Sequence, residues 1–375
     1  MRKNFILLLC SIIIILNSSG CDFKDIDKRV FIVAVGIDGN QGNPDLITMS
    51  FKAAMPGSVG EGSGTGSNSQ GGNTHIYTVT GSSVSNILRT LKGQTSMEPD
   101  FSHMKIIVYG RDYAGRHDIS SIEEFFIRRR DFQDMAWVCL GAPTAKEVLS
   151  VTPNEEKVPG NGLFLKFGQG TDSPYAVKTK SYELYNDIIT PGCTPVCSIM
   201  QLKEGNIIMN EAALFSEGKL ALILSKEETQ LLNLLKDRIK FGTFSIIRKE
   251  EKKPTSISVD NGKSKINVSK AKDGGGITCT IDIKIEGSLE EINLFTGKAT
   301  ELSPEFEEAL KKQVMTLLNK FSNNNLDPLR LEMRYWSNTL EFIPTKVWLT
   351  DMIPNINYVI NPKIDIIHTG VIEEK

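Results

Sequence analysis

The sequence has few of the residues from which most catalytic and metal sites are built. It contains four histidines, His75, His103, His117 and His368, and none of them stands in a metal-ligand spacing such as His-Glu-x-x-His. It also lacks the Gly-x-Ser-x-Gly sequence of a nucleophile elbow and the Gly-Lys-Ser/Thr ending of a phosphate-binding loop. We therefore expect no catalytic residues, no metal ion and no cofactor.

The chain also lacks an excess of positive charge. Its 43 basic and 45 acidic residues give a formal net charge of −2, so nothing favours binding to the phosphates of a nucleic acid. The same balance gives the body of the protein no attraction to an anionic membrane surface. We therefore expect no nucleic-acid partner, and any membrane attachment would have to come from a lipid.

Cysteine is sparse as well. Of the six cysteines, Cys139 and Cys279 lie in strand-like runs and are predicted to be small buried side chains. Cys193 and Cys197 are separated by Thr-Pro-Val. A disulfide between them is an open alternative, provided that a turn at Pro195 brings them close. No histidine or second cysteine pair lies near them in sequence, which disfavours a metal site there.

The most informative segment is the N-terminus. Two basic residues precede an apolar run from Phe5 to Leu16, and a short segment of small and polar residues then leads to Cys21. This order is typical of an export signal, and the run is shorter than the ~20 apolar residues that span a bilayer. A cysteine directly after such a segment indicates a lipoprotein, with residues 1–20 removed as a signal peptide and the lipid attached to Cys21.

Ser18 is the residue that weakens the lipoprotein prediction, because such signals usually have leucine three positions before the cysteine. If Cys21 carries no lipid, the chain is either secreted or held by an uncleaved short helix. The length of the apolar run disfavours the second alternative. Beyond Cys21 the sequence has no further apolar run of membrane-spanning length.

The rest of the chain alternates between strand-like and helical patterns, which predicts an α+β fold. Its length favours two or three domains. We predict three mixed α/β domains with largely antiparallel or mixed sheets. They are an N-terminal domain over residues 22–200, a small middle domain of a hairpin plus a helix over 201–252, and a C-terminal domain over 253–375.

Three local patterns give specific predictions. Residues 56–73 are mostly Gly and Ser, which predicts a mobile loop between two strands. Ser120-Ser121-Ile122-Glu123 has the sequence of a capping box at a helix start. A long helix is predicted over 303–322, and its apolar stripe must lie on a sheet. The stripe consists of Phe306, Leu310, Val314, Leu317 and Phe321.

Two polar residues in the first domain could be mistaken for catalytic groups. Asp38 follows the first predicted strand, Val30 to Ile37, and is interpreted as a turn residue. His103 follows Ser102, but side chains adjacent in a strand point to opposite faces. His103 is therefore interpreted as structural.

A series of short motifs runs along the chain in a fixed order. They are Lys24-Asp25-Ile26-Asp27 leading into Phe31-Ile32-Val33 and Gly36-Ile37-Asp38, Phe101-Ser102-His103-Met104-Lys105, Arg130-Asp131, Ala145-Lys146-Glu147-Val148-Leu149, Ala212-Ala213-Leu214-Phe215, Leu224-Ser225 with Glu228-Thr229, and Asp327-Pro328. In this order they resemble the Ger(x)C family, the C-subunit lipoproteins of spore germinant receptors. The family's usual Trp after the lipid cysteine is missing, and Phe23 is the nearest aromatic residue.

The resemblance implies a non-enzymatic, lipid-anchored subunit of a receptor complex that triggers germination when small nutrients bind. The implied location is the outer face of the cytoplasmic (inner spore) membrane, where the lipid on Cys21 anchors the chain to the bilayer. The implied partners are an A subunit with membrane spans and a B subunit similar to amino-acid transporters. The implied fold is three α+β domains, and no ligand-binding residues carry over from the family, so these stay unknown.

Two other functions remain as alternatives. A solute-binding lipoprotein that itself captures a small-molecule germinant predicts two similar lobes around a deep cleft. The order of the segments shows no such repeat. An anchored hydrolase predicts a convergent catalytic set, and the sequence lacks one.

Overall fold

The computed structural model describes residues 2–4, 28–54, 74–152, 162–168, 173–239, 241–247, 254–271, 275–291 and 299–368. Cys21, the apolar run before it and the predicted loop 56–73 lie outside the described residues. Within the described ranges, no helix is both long enough and apolar enough to cross a membrane.

A mixed sheet forms the first part of the described fold. Its nine strands are β1 (Arg29–Gly39), β2 (Ile47–Ala54), β3 (Thr74–Gly81), β4 (Glu98–Asp100), β5 (Ile106–Gly110), β6 (Trp137–Ala142), β7 (Val196–Lys203), β8 (Asn206–Ser216) and β9 (Lys219–Leu224). Their order is β3-β2-β1-β5-β6-β7-β8-β9, and β4 pairs with the start of β1. The strands from β1 to β7 in this order run parallel, and those on either side are antiparallel. The expected mixed sheet is confirmed.

Helices cover both faces of this sheet. They are α1 (Val84–Gln94), α2 (Arg111–Arg116), α3 (Ser120–Arg128), α4 (Ala145–Ser150), α5 (Gly162–Leu165) and α6 (Ser181–Ile189). Ile107 and Tyr109 of β5 face one core with α1 to α3, whereas Ile106 and Val108 face a second core with α4. The alternation along β5 explains why its sequence is a continuous apolar run, because both faces are buried.

A smaller sheet forms the second part. Its strands are β10 (Gly242–Ile246), β11 (Thr255–Lys270), β12 (Ile277–Glu291) and β13 (Asn357–His368), in this order. β13 runs parallel to β12, and the other pairs are antiparallel. The long helix α8 (Ser303–Asn323) packs against β13 and buries the whole predicted apolar stripe. The α+β class and the helix predicted over 303–322 are therefore confirmed.

One continuous core joins the two sheets. Helix α7 (Lys226–Leu235) contributes Leu231 and Leu235 to it, β8 contributes Leu214, and α8 contributes Phe306. The stretch 201–252, predicted as a middle domain, supplies β8 and β9 to the first sheet and β10 to the second. The division into three domains stays a prediction. The remaining helices are α9 (Leu331–Thr339) and α10 (Thr345–Val347), with short helical turns at Ala299–Leu302, Trp348–Met352 and Ile353–Asn355.

The capping box predicted at Ser120 to Glu123 is wrong. Ser120 is the first residue of α3, and its backbone N–H donates to Asp118 Oδ1 at 2.8 Å. Glu123 does not turn back to the helix start, because it lies on the buried face of α3. A Ser-x-x-Glu pattern cannot distinguish a cap from a carboxylate that points into the core.

Candidate functional site

Three of the histidines pack against different aromatic rings. The His103 ring is exposed and packs edge-on against Phe31, with ring centroids 5.1 Å apart. His117 stacks on Tyr113 at 4.7 Å, His75 packs on Tyr77 at 4.4 Å, and His368 ends β13. Among the described residues, no group of three or more His, Cys, Asp or Glu side chains could hold a metal ion. The expectation of no catalytic, metal or cofactor residues stays a prediction.

Cys193 and Cys197 are separate thiols in this structure. Cys197 is buried in β7, whereas Cys193 is partly exposed and its Sγ lies 3.6 Å from Met333 Sδ of α9. Burial raises the pKa of the Cys193 thiol to about 12, so it is a poor nucleophile. The disulfide that the sequence left open is not formed here.

Asp38 joins β1 to helix α4. Its carboxylate accepts the backbone N–H groups of Ala145 at 2.9 Å and Lys146 at 3.0 Å, at the start of that helix. Burial raises the pKa of Asp38, and the two backbone hydrogen bonds oppose this. Asp38 thus caps a helix that is more than a hundred residues away in sequence. In this structure it is a capping residue and not the turn residue that the sequence suggested.

Gly36 allows α4 to lie directly on β1. A Cβ at this position would lie 2.9 Å from Leu149 Cδ1 and 3.1 Å from Ala145 Cβ. The Gly36-Ile37-Asp38 motif and the Ala145 to Leu149 motif therefore form one packing contact.

Gly36→Ala should lower the free energy of unfolding by about 1–3 kcal/mol, because the added methyl group overpacks this contact. Gly93→Ala is the matched control, since nothing lies within 4 Å of a Cβ at that helical position. The control should raise stability by about 0.5–1 kcal/mol. Urea unfolding measures both, and equal effects of the two changes would contradict the packing role of Gly36.

Glu123 belongs to a buried polar network between α3, β5 and α6. It accepts hydrogen bonds from the Tyr109 hydroxyl at 2.7 Å and from the Ser181 hydroxyl at 2.7 Å. Burial raises the pKa of Glu123 to about 7, although both hydrogen bonds oppose the rise. The carboxyl group therefore keeps its proton in the folded protein at pH values where the unfolded chain has lost it.

Stability should consequently fall between about pH 4.5 and pH 7. In this window the folded state holds one more proton at Glu123 than the unfolded state, so raising the pH favours unfolding. Below the window both states are protonated, and above it both are ionised. Glu123→Gln should remove this component in urea unfolding curves measured at pH 5, 6, 7 and 8. An unchanged pH profile in the variant would show that Glu123 titrates as an ordinary surface acid.

Asp327 is the central polar residue of the C-terminal part. Its buried carboxylate accepts the backbone N–H groups of Leu331 at 2.9 Å and Glu332 at 3.0 Å, at the start of α9, and the Trp348 indole N–H at 3.3 Å. The backbone N–H of Asp327 donates to Thr194 Oγ1 at 2.8 Å, and the Thr194 N–H donates to the Asp327 carbonyl at 3.2 Å. Asp327 thus joins α9 to the segment that leads into β7.

A further motif joins α7 to the long helix. Ser225 and Glu228 form both halves of a capping box at the start of α7. Lys320 Nζ of α8 donates to the two carboxylate oxygens of Glu228 at 2.8 and 2.7 Å. This motif, too, serves packing rather than chemistry.

Exposed apolar side chains lie on α9 and directly after it. We call this group the α9 face, and it consists of Met333, Trp336, Leu340 and Phe342. Met333, Trp336 and Leu340 stand at i, i+3 and i+7, so they lie on one side of the helix and its C-cap. Trp336 is 53% exposed, Leu340 82% and Phe342 74%. Single exposed apolar residues are ordinary, but a contiguous group usually marks an interaction site.

The register of the first sheet places the α9 face at the end of the sheet where its parallel strands begin. Ile106 pairs with both Ala34 and Trp137, and Cys139 pairs with Ser198, so β1 and β7 begin at the same end of the sheet, where β1 extends five residues further. These two strands are three positions apart in the sheet, which is about 14 Å. Met333 contacts Cys193, which lies just before β7. The α9 face therefore adjoins the end of the sheet at which β1 and β7 begin.

Comparisons with known proteins give the family. A family model described as "Spore germination protein N-terminal domain" matches residues 22–202, and one described as "Spore germination B3/GerAC like, C-terminal" matches residues 210–370. The chain belongs to the spore germination GerAC-like family. The crystal structure of the GerBC protein is similar, with a TM-score of 0.58 and 17% identity over 89% of this chain and 96% of that chain. At this identity the similarity shows the fold. No curated protein matches the sequence.

The resemblance drawn from the motifs is thus confirmed. In this GerAC-like chain the described motifs are mainly packing contacts, as Gly36, Asp38 and Asp327 show. Sequence reasoning missed the α9 face. The helical spacing of Met333, Trp336 and Leu340 was visible in the sequence, but spacing alone does not tell an exposed stripe from a buried one.

Proposed function

We propose that the protein is the lipid-anchored C subunit of a nutrient germinant receptor, and that it acts through contacts with membrane-embedded A and B subunits without catalysing a reaction. Membership of the GerAC-like family supports a role in spore germination. A lipid on Cys21 would hold the chain at the outer face of the inner spore membrane.

The observation that carries this proposal is the α9 face. Aromatic residues and Met are enriched at protein interfaces, and this surface presents Met333, Trp336 and Phe342 to solvent. Burying apolar surface of this kind against a partner lowers the free energy by roughly 25 cal/mol for each Å² removed from water. Its composition suits a protein–protein contact better than a polar ligand.

The occupant we propose is a membrane-embedded receptor subunit. Arg29, at the start of β1, follows Cys21 by eight positions, and eight residue steps span at most about 28 Å when fully extended. A lipid at Cys21 would therefore keep this end of the first sheet close to the bilayer. The α9 face adjoins the same end, where it would meet a partner that rises from the membrane.

Trp336→Glu should weaken the association with the membrane-embedded subunits by about 30-fold or more, because a buried Trp anchor is often worth 2 kcal/mol or more. Co-purification from detergent-solubilised spore membranes measures this. Ile247→Glu is the control, since Ile247 is another apolar side chain, 75% exposed, outside the α9 face. Equal recovery of partner subunits with Trp336→Glu and wild type would rule out this surface as the contact.

The alternative is that the chain captures a small-molecule germinant itself. A cavity of about 400 Å³ between α7, β10 and α8, lined by Tyr175, Lys226 and Phe244 among others, is large enough for a small solute. Calorimetry of the protein with amino acids and sugars separates the two functions. Micromolar binding of a germinant would contradict a subunit that acts through protein contacts alone.

A further inference from the structure

A second cavity has a lining of unusual charge. It has a volume of about 260 Å³ and lies between α6, α7 and the segment from Pro328 to α9. Its charged lining residues are Lys236, Arg238, Arg330, Arg334, Glu183 and Asp187. Four basic side chains thus face two acidic ones, in a protein whose overall charge is slightly negative.

The two acidic side chains do not neutralise this cavity. Asp187 forms an ion pair with Arg330. Glu183 Oε2 accepts the Lys180 backbone N–H at 3.0 Å, at the start of α6. Within the described part of the chain, the ammonium of Lys236 and the guanidinium groups of Arg238 and Arg334 form no hydrogen bond or ion pair with a carboxylate.

The remaining cations are held in place by backbone carbonyls. Lys236 Nζ donates to the Pro328 carbonyl at 3.2 Å, and Arg238 donates to the Lys178 carbonyl at 3.1 Å. Arg334 donates to the Leu329 and Ile266 carbonyls. Each of these contacts uses only part of the donor capacity of its side chain, since Lys has three N–H donors and Arg has five. The cations are therefore positioned in advance and still have donors to offer.

The surroundings of Lys236 disfavour its charge. Burial is the main cause that lowers the pKa of Lys236 to about 8; Arg238 and Arg330 lower it further, and Asp187 opposes them. A lysine in such surroundings gains when a negative charge arrives beside it.

We propose that this cavity binds a small oxyanion, a carboxylate or a phosphate, between Lys236, Arg238 and Arg334. A carboxylate or phosphate group offers the oxygen acceptors that these donors require, and guanidinium groups bind both bidentately. The volume admits a small molecule and no larger ligand. Because the lining comes from α6, α7 and α9, the bound anion would link the flank of the first sheet to the C-terminal part.

The test is calorimetric titration of the full chain in detergent micelles, at constant ionic strength, with inorganic phosphate in one arm and acetate in the other. Direct binding is measured because phosphate stabilises most proteins by exclusion from their surfaces. Saturable binding of either anion is expected, and the tighter arm tells a phosphate site from a carboxylate site.

The variants locate the site. Lys236→Met and Arg238→Gln should each weaken binding by about tenfold or more, the loss expected for a charged hydrogen bond. Lys226→Met is the matched control, because Lys226 lies on the same helix but lines the other cavity. Arg238 is exposed, so its variant carries the test if Lys236→Met does not fold. Absence of saturable binding by wild type, or equal affinity in all variants, overturns the proposal and leaves the proposed receptor role untouched.

Discussion

Asp327→Ala should lower the free energy of unfolding by about 3–5 kcal/mol, because several buried donors lose the acceptor that they share. The substitution leaves three donors buried without an acceptor: the N–H groups of Leu331 and Glu332 and the indole N–H of Trp348. Each unsatisfied buried donor costs about 1–3 kcal/mol. The start of α9 and the segment around Trp348 should loosen together, because both depend on the same carboxylate.

Urea unfolding followed by the near-ultraviolet signal of tryptophan measures this change. Asp351→Ala is the matched control, because Asp351 is exposed and, among the described residues, its carboxylate accepts a hydrogen bond from the neighbouring Thr350 hydroxyl alone. The control should change stability by less than about 0.5 kcal/mol. If Asp327→Ala were as mild as Asp351→Ala, Asp327 would not hold the C-terminal part together.

Cys21→Ala should release the protein from membranes. A lipid contributes about 0.8 kcal/mol for each CH2 group buried in the bilayer, and the chain carries no basic surplus that would replace it. In cells without the partner subunits, most of the wild type should sediment with the membranes and most of the variant should stay in the supernatant.

Ser18→Ala serves as the control for this experiment, because it changes the signal segment but keeps the cysteine. It should remain in the membrane pellet. Retention of Cys21→Ala in the pellet without partner subunits would mean that another part of the chain holds the membrane, and lipidation at Cys21 would then be the wrong account of attachment.

Local order was predictable where one pattern dominated. The run from Val30 to Ile37 gave β1, and the stripe from Phe306 to Phe321 gave α8, because burial on two faces and on one face leave different spacings of apolar residues. The family was predictable as well, since its motifs recur in order along nearly the whole chain.

Long-range contacts were not predictable. Nothing near Asp38 shows that its carboxylate reaches Ala145, and nothing near Asp327 shows that it joins Trp348 to Thr194. Glu123 was misplaced for the same reason, because its partners Tyr109 and Ser181 come from other elements. Polar groups buried by tertiary contacts leave no periodic signal in the sequence.

Surfaces were the least predictable part. The α9 face and the cavity lined by Lys236, Arg238 and Arg334 each depend on which side of a helix no other element packs against. Trp336 and Tyr335 are neighbours on α9, yet one is half exposed and the other is buried beside Trp348. The sequence spacing is compatible with either arrangement, and only the packing of α9 on β11 decides between them.

Photo-crosslinking in native spore membranes tests most directly whether the protein works through contact with membrane-embedded subunits. A photo-reactive amino acid would replace Trp336 in the α9 face, and another would replace the exposed Ile247 as the control. The account predicts that position 336 forms an adduct with a multi-span receptor subunit and that position 247 does not. Adducts with lipid alone, or none at position 336, would contradict it.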